Sequence, residues 1–130
     1  GASGSGKSDL ALQLIDQGAT LVADDYCLIH LSKDQVIATC PSNIQGAIEM
    51  RGYGIIKLPF EPVIRVFLLV DLLNAEAIPR LPEKPFIYFE GVNLSHLMVD
   101  PKTNSAANKI RLIAAEIGKR DYKIRDVLPV

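Results

Sequence analysis

Apolar residues along this chain keep helical time at the two ends and strand time in between. Leu10, Ala11, Leu14 and Ile15 recur on one stripe and predict a helix over Lys7 to Gln17. Gly18 follows where a left-handed helix stop is expected. Leu21 to Ala23 reads as a short buried strand ending at Asp24-Asp25. Tyr26 to Leu31 and Val36 to Cys40 read as two strands joined by the turn Ser32 to Gln35. Pro41 to Gly46 is loop, Ala47 to Met50 a helical turn, and Arg51 to Gly54 a Gly-punctuated lead into Ile55-Ile56.

Val63 to Leu73 holds the strongest strand, Val66 to Val70, whose unbroken apolar character predicts burial on both faces. Asn74 to Pro85 carries three prolines and reads as a surface connection, and Pro85 to Phe89 as a further strand. Asn104 or Ser105 caps a helix to about Gly118, with Ala106, Ile110, Ile113, Ala114 and Ile117 on its buried side. The last dozen residues, charged and mixed, read as a tail or docking arm. With no repeat, low-complexity run or linker, residues 1–130 are expected to form one α/β domain.

Composition narrows the classes without choosing among them. Apolar residues are 48% and charged residues 22% of 130, a balance that builds a single core. A net charge of −1 gives no support for nucleic-acid or membrane-surface binding through bulk charge. No apolar run approaches the roughly 18 residues of a membrane span, and no signal-peptide pattern appears, so a cytoplasmic setting is expected. Cys27 and Cys40 fit no zinc spacing and no Cys-x-x-Cys pair. The hairpin could set them near each other, which leaves a cross-strand disulfide open, but in a reducing cytosol they read as small hydrophobes.

Candidate chemistry begins at the first residue. Gly1, Ala2, Ser3, Gly4, Ser5, Gly6, Lys7 and Ser8 spell a complete phosphate-binding P-loop, G-x-x-x-x-G-K-[ST]. The glycines let backbone N–H groups curl toward phosphate oxygens, and the helix that follows adds its positive end. Lys7 suits the outer phosphates of ATP, and the Ser8 hydroxyl suits a magnesium ion. A P-loop is fed by a strand, so a strand, with any functional group on it, is expected to precede Gly1.

Asp24 and Asp25 close the strand expected beside that loop. Successive strand residues face opposite ways, so the two carboxylates take different roles. One suits a magnesium-bound water, and the other faces an acceptor hydroxyl and takes its proton. A turn-forming Asp pair is the plainer reading of the same residues. In Glu49 to Ile56, Glu49 suits the magnesium shell and Arg51 suits charge on a moving phosphoryl group. Spacing alone leaves a Gly-rich turn with solvated charges equally open there.

These segments resemble a known family. GASGSGKSDLALQLIDQGATLVADD looks like the nucleotide-binding core of the bacterial HPr kinase/phosphorylases, and IEMRGYGII resembles their signature LEIRGxGII. The likeness is specific over about Gly1 to Ile56, and the remainder resembles the short, single-domain proteobacterial form. It implies a phosphoenolpyruvate-carboxykinase-like domain in which helices flank a mixed β-sheet. It also implies an ATP- and Mg2+-dependent kinase for a serine of the phosphocarrier HPr, with phosphorolysis as the reverse reaction, and a homo-oligomer, commonly a hexamer. Carried over, Lys7 contacts phosphates, Ser8 and Glu49 hold magnesium with Asp24 beside them, Asp25 is the base, and Arg65 stabilises phosphate.

Some residues depart from the family pattern. The family's catalytic His lies upstream of the P-loop, and neither His30 nor His96 matches it. Lys57 follows Ile56 where the family has Asp or Asn. Pro101 to Lys109 replaces a distinctive C-terminal segment linked with phosphorylase activity. Two other readings therefore stay open. One is a small-molecule P-loop kinase, which usually carries an Arg-containing lid that Arg80, Lys84, Arg111 and Lys119 do not form. The other is a nucleotide-binding regulator without transfer activity.

Overall fold

A computed structural model describes residues 1–120. Helix α1 spans Lys7–Asp16 and α2 spans Ala106–Arg120. Eight strands lie between them: β1 Leu28–Ser32, β2 Gln35–Thr39, β3 Ala47–Met50, β4 Gly54–Lys57, β5 Val63–Arg65, β6 Leu68–Leu72, β7 Phe86–Phe89 and β8 Val92–Val99. The α/β content expected from the sequence is present, but the strands form three small sheets among the described residues rather than one. β1-β2-β5 is antiparallel, β3-β4 is a hairpin, and β6-β8-β7 is mixed, with β6 parallel and β7 antiparallel to the central β8.

The first helix ends as its sequence dictates. Gly18 takes φ 106°, and the N–H groups of Gly18 and Ala19 donate to the carbonyls of Ile15 and Leu14 at 3.0 Å each. That paired pattern is a Schellman stop, and it uses a backbone conformation that costs residues with a Cβ. The hairpin β1–β2 also forms as expected, with a tighter turn. Lys33 and Asp34 alone connect the strands, at φ 50° and 61°, the two positive values of a type I′ turn whose twist matches the strands it joins.

Four expectations are corrected. Leu21 to Ala23 is not a strand: Leu21 makes one parallel bridge to Phe60, and the rest of the segment is irregular. Ala47 to Met50 is strand β3 rather than a helical turn, because pairing with Ile55-Ile56 gives alternating Ile48 and Ile56 somewhere to pack. Val63 to Leu73 breaks at Val66-Phe67 into β5 and β6, which join different sheets, so Leu69 is left 37% exposed. In α2, Ile113 and Ala114 are exposed, while Ala106 and Ala107 are buried. Strand β8 has no counterpart in the sequence pattern, and the tail after residue 120 lies outside the described residues.

One core holds the molecule's centre. Leu10 of α1, Val99 of β8 and Ala106-Ala107 of α2 are buried together, with Leu14, Val70, Leu72, Leu97 and Ile110 packed around them. Small alanines at the start of α2 let that helix sit close against the strand end. The Asp100 carboxylate ties the approach: it accepts from the N–H of Ala75 at 3.0 Å and of Lys102 at 3.0 Å. Gly1 sits beside Leu72 at the end of β6 and Gly6 beside Pro101 just after β8, so the loop before α1 lies at the carboxyl end of this parallel pair, where ligands of α/β sheets gather.

Candidate active site

An open cavity of about 270 Å³ is lined by Ser3, Gly4, Gly6, Lys7, Ser8, Asp9, Asp25, Glu49 and Arg51. Three separate stretches meet there: the P-loop, the turn after α1, and the end of β3. The loop closes on itself through the N–H of Ser5 donating to the Ala2 carbonyl at 3.1 Å. Gly6 caps α1 at φ 99°, and its carbonyl accepts the first helical bond, from Leu10, at 3.0 Å. A Cβ at Gly6 would only touch Pro101 at 3.4 Å, an ordinary contact, so the backbone conformation rather than space favours glycine. The first N–H groups of α1 are consequently free to face the cavity, an anion-binding arrangement.

Lys7 is held back against the loop, its Nζ donating to the carbonyls of Gly1 at 2.7 Å and Ala2 at 3.3 Å. Carbonyl bonds of this kind are exchangeable for phosphate oxygens, which bind the ammonium more strongly. Ser8 Oγ donates to Asp24 Oδ1 at 2.7 Å, and Asp24 Oδ2 accepts from the Glu49 N–H at 3.2 Å. One carboxylate therefore bridges helix α1 and strand β3, which sets the distance between the P-loop and Glu49. Asp25 lines the cavity, whereas Asp24 does not.

A local kink lies at the two aspartates. The Tyr26 N–H donates to the Asp24 carbonyl at 2.8 Å, with Asp25 between them at φ 69°. This three-residue γ-turn with a positive central φ is rare and strained, and strain of that sort concentrates where a side chain must be aimed. The strand expected to turn Asp24 and Asp25 apart by its alternation is absent, and a turn stands in its place.

The structure brings together Lys7, Ser8, Asp25, Glu49 and Arg51 around one space, with Asp24 linked to Ser8. It does not bring Arg65 there. Arg65 lies in β5, its guanidinium carbon 4.6 Å from the centroid of the Phe67 ring, away from the cavity-lining residues. Asp9, which lines the cavity, went unnoticed in the sequence, although its place in the first turn of α1 next to Ser8 was the available signal. His96 is also elsewhere, paired to Asp71 at 2.7 Å across the parallel strands β6 and β8.

Among the described residues no three His, Cys, Asp or Glu side chains gather as a ready metal cluster. Magnesium rarely needs one, since it is commonly held by one or two carboxylates together with substrate phosphates. The oxygens of Ser8, Asp24 and Glu49, the first two hydrogen-bonded to each other, suit such a hard cation. Among the described residues no helix is long and apolar enough to cross a membrane.

Comparison with known proteins points to one family. Residues 1–60 match the family model of the HPr Serine kinase C-terminal domain. An HPr kinase/phosphorylase of Verminephrobacter eiseniae is 34% identical over 97 residues, covering 65% of this chain and 30% of that protein. One from Xanthomonas campestris pv. campestris is 42% identical over 59 residues, 45% of this chain and 19% of that protein. The solved structure of the HPr(Ser) kinase/phosphatase from Coxiella burnetii superposes with a TM-score of 0.77 at 26% identity, covering 92% of this chain and 85% of that one. The chain thus spans less than a third of the length of these two curated relatives, and its resemblance to the HPr kinase/phosphorylases is borne out by sequence and by fold.

Proposed function

We propose that this chain carries the catalytic domain of an ATP- and Mg2+-dependent serine kinase whose acceptor is an HPr-type phosphocarrier. The observation that supports it most directly is the convergence of the P-loop, Asp25, Glu49 and Arg51 on one cavity. On this reading residues 1–130 are a single P-loop domain of the phosphoenolpyruvate-carboxykinase-like kind. It works in the cytoplasm, within a homo-oligomer that the family likeness makes a hexamer.

Phosphoryl transfer passes through a loose transition state, so the protein's task is to position the reactants and neutralise charge. The P-loop N–H groups and Lys7 hold the β- and γ-phosphates of ATP. Ser8, Asp24 and Glu49 would hold magnesium, which when bound neutralises charge shared between those phosphates. Asp25 orients the acceptor serine and receives its proton as the serine oxygen bonds to the γ-phosphorus and the bridging oxygen leaves with ADP. Arg51 stabilises charge on the group in transit. Run backward with inorganic phosphate as acceptor, the same groups serve phosphorolysis, with Asp25 as the acid.

The decisive experiment is transfer of labelled γ-phosphate from ATP with Mg2+ to a purified HPr-type carrier, beside a Ser→Ala variant at its regulatory serine. Label on the wild-type carrier alone is the expected result. No label on either, with ATP still bound, would overturn the kinase reading.

A further inference from the structure

The register of the β1–β2 hairpin pairs residues whose numbers sum to 67, from Ser32↔Gln35 at the turn to Leu28↔Thr39 at the open end. Extended one step past its last pair, Leu28↔Thr39, this register sets Cys27 opposite Cys40. Both are free thiols, Cys27 exposed and Cys40 buried. The type I′ turn fixes which kind of pair this is. Residues flanking a two-residue turn exchange hydrogen bonds, and the two pair types then alternate along the strands. Counting from Ser32↔Gln35, the Cys27–Cys40 position is a non-hydrogen-bonded pair. An independent bond agrees: the Cys40 N–H points away from β1, donating to the Pro62 carbonyl at 2.9 Å.

Directly opposed residues of an antiparallel pair share a face, and at non-hydrogen-bonded positions their Cα atoms approach to about 4.5 Å. That spacing lies within the range of roughly 4.4 to 6.8 Å that disulfides span. Burial raises the pKa of both thiols, and the nearby Cys40 thiolate adds to the rise at Cys27. The pair therefore rests as thiols and reacts only when an oxidant is supplied.

We infer that Cys27 and Cys40 are an oxidisable pair, which closes an intramolecular disulfide and fastens the Asp24–Asp25 turn to strand β2. Cys27 is two residues beyond Asp25, and the Tyr26 N–H that closes the γ-turn lies between them. With oxidised glutathione, the exposed Cys27 thiolate attacks one glutathione sulfur and releases the other half as a thiol. The Cys40 thiolate then attacks the Cys27 sulfur and releases the second glutathione. The two cysteines lose two electrons and two protons, and glutathione disulfide gains both.

The test treats the full chain with oxidised glutathione and measures mass, free thiols under denaturant and hydrogen exchange. The expected product is a monomer lighter by two hydrogens, without free thiols or bound glutathione, and restored by a dithiol reductant. Cys40→Ser is expected to trap glutathione on Cys27, and Cys27→Ser to leave the buried thiol unmodified. A wild-type chain that keeps both thiols, carries glutathione, or forms only linked dimers would overturn the pair. Exchange of the Tyr26 and Cys27 amides is expected to slow about tenfold on oxidation; unchanged exchange would overturn the fastening. The effect on catalysis rests on the kinase reading, with transfer expected to fall about tenfold and to recover on reduction. Mass and exchange do not depend on transfer, so failure of the kinase reading and failure of the disulfide remain distinguishable.

Discussion

Residues 1–60 and residues 61–120 both bury apolar side chains, but the residues that line the cavity all come from the first stretch. The first stretch is organised by turns and polar bonds: Gly6, Gly18, Asp25, Lys33 and Asp34 all sit at positive φ, and the Asp24 carboxylate spans from Ser8 to β3. The second supplies Val99, Ala106 and Ala107 to the core cluster that Leu10 of α1 completes. The family model matches residues 1–60, whereas the structural likeness to the Coxiella protein covers 92% of the chain. A packed core tolerates many apolar solutions of similar volume, whereas a phosphate loop and an aimed carboxylate admit few. The first half therefore carries a specific sequence signature, and the second supplies a platform recognisable mainly by shape.

Substitutions can break this division. Asp25→Asn is expected to lower phosphoryl transfer by about 10²- to 10⁴-fold while leaving nucleotide affinity and unfolding midpoint near wild type. A variant with full transfer would remove Asp25 from the chemistry. Lys7→Ala is expected to cost about 10²-fold in transfer and to weaken ATP binding, as titration of a fluorescent nucleotide would show. Normal affinity there would dissociate the loop from the nucleotide.

The next changes test where the two halves lean on each other. Ile48 is 1% exposed on β3, one residue before Glu49. Ile48→Ala is expected to cost about 2–5 kcal/mol in urea unfolding and to disturb Glu49 as well, whereas truncating Val99 should lower stability alone. Equal activity loss in both, measured per folded molecule, would erase the distinction between site and platform. Gly18→Ala meets open space but a φ of 106°, so a loss of about 1–2 kcal/mol in stability with unchanged transfer is expected. The smallest effect belongs to the His96–Asp71 pair in the second region, whose carboxylate is half-exposed. Asp71→Asn is expected to change stability by about 1 kcal/mol or less, readable as a small shift in the urea midpoint.

What the sequence determined by itself was local. The G-x-x-x-x-G-K-S run, the helix of α1, its stop at Gly18 and the β1–β2 hairpin all follow from interactions within a few positions, where residue type and conformation are directly coupled. Tertiary structure decided the rest. Ala47 to Met50 became a strand because Gly54 to Lys57 was available to pair with it. Val63 to Leu73 was cut in two because its halves found partners in different sheets. β8 went unread because Asn93, Ser95 and His96 interrupt its apolar pattern, and only its position between β6 and β7 gives those residues partners. The γ-turn at Asp25, the Asp24 bridge to β3 and the distance of Arg65 from the cavity depend on contacts between segments far apart in the chain. Long-range packing, rather than any local preference, sets which of the candidate side chains meet.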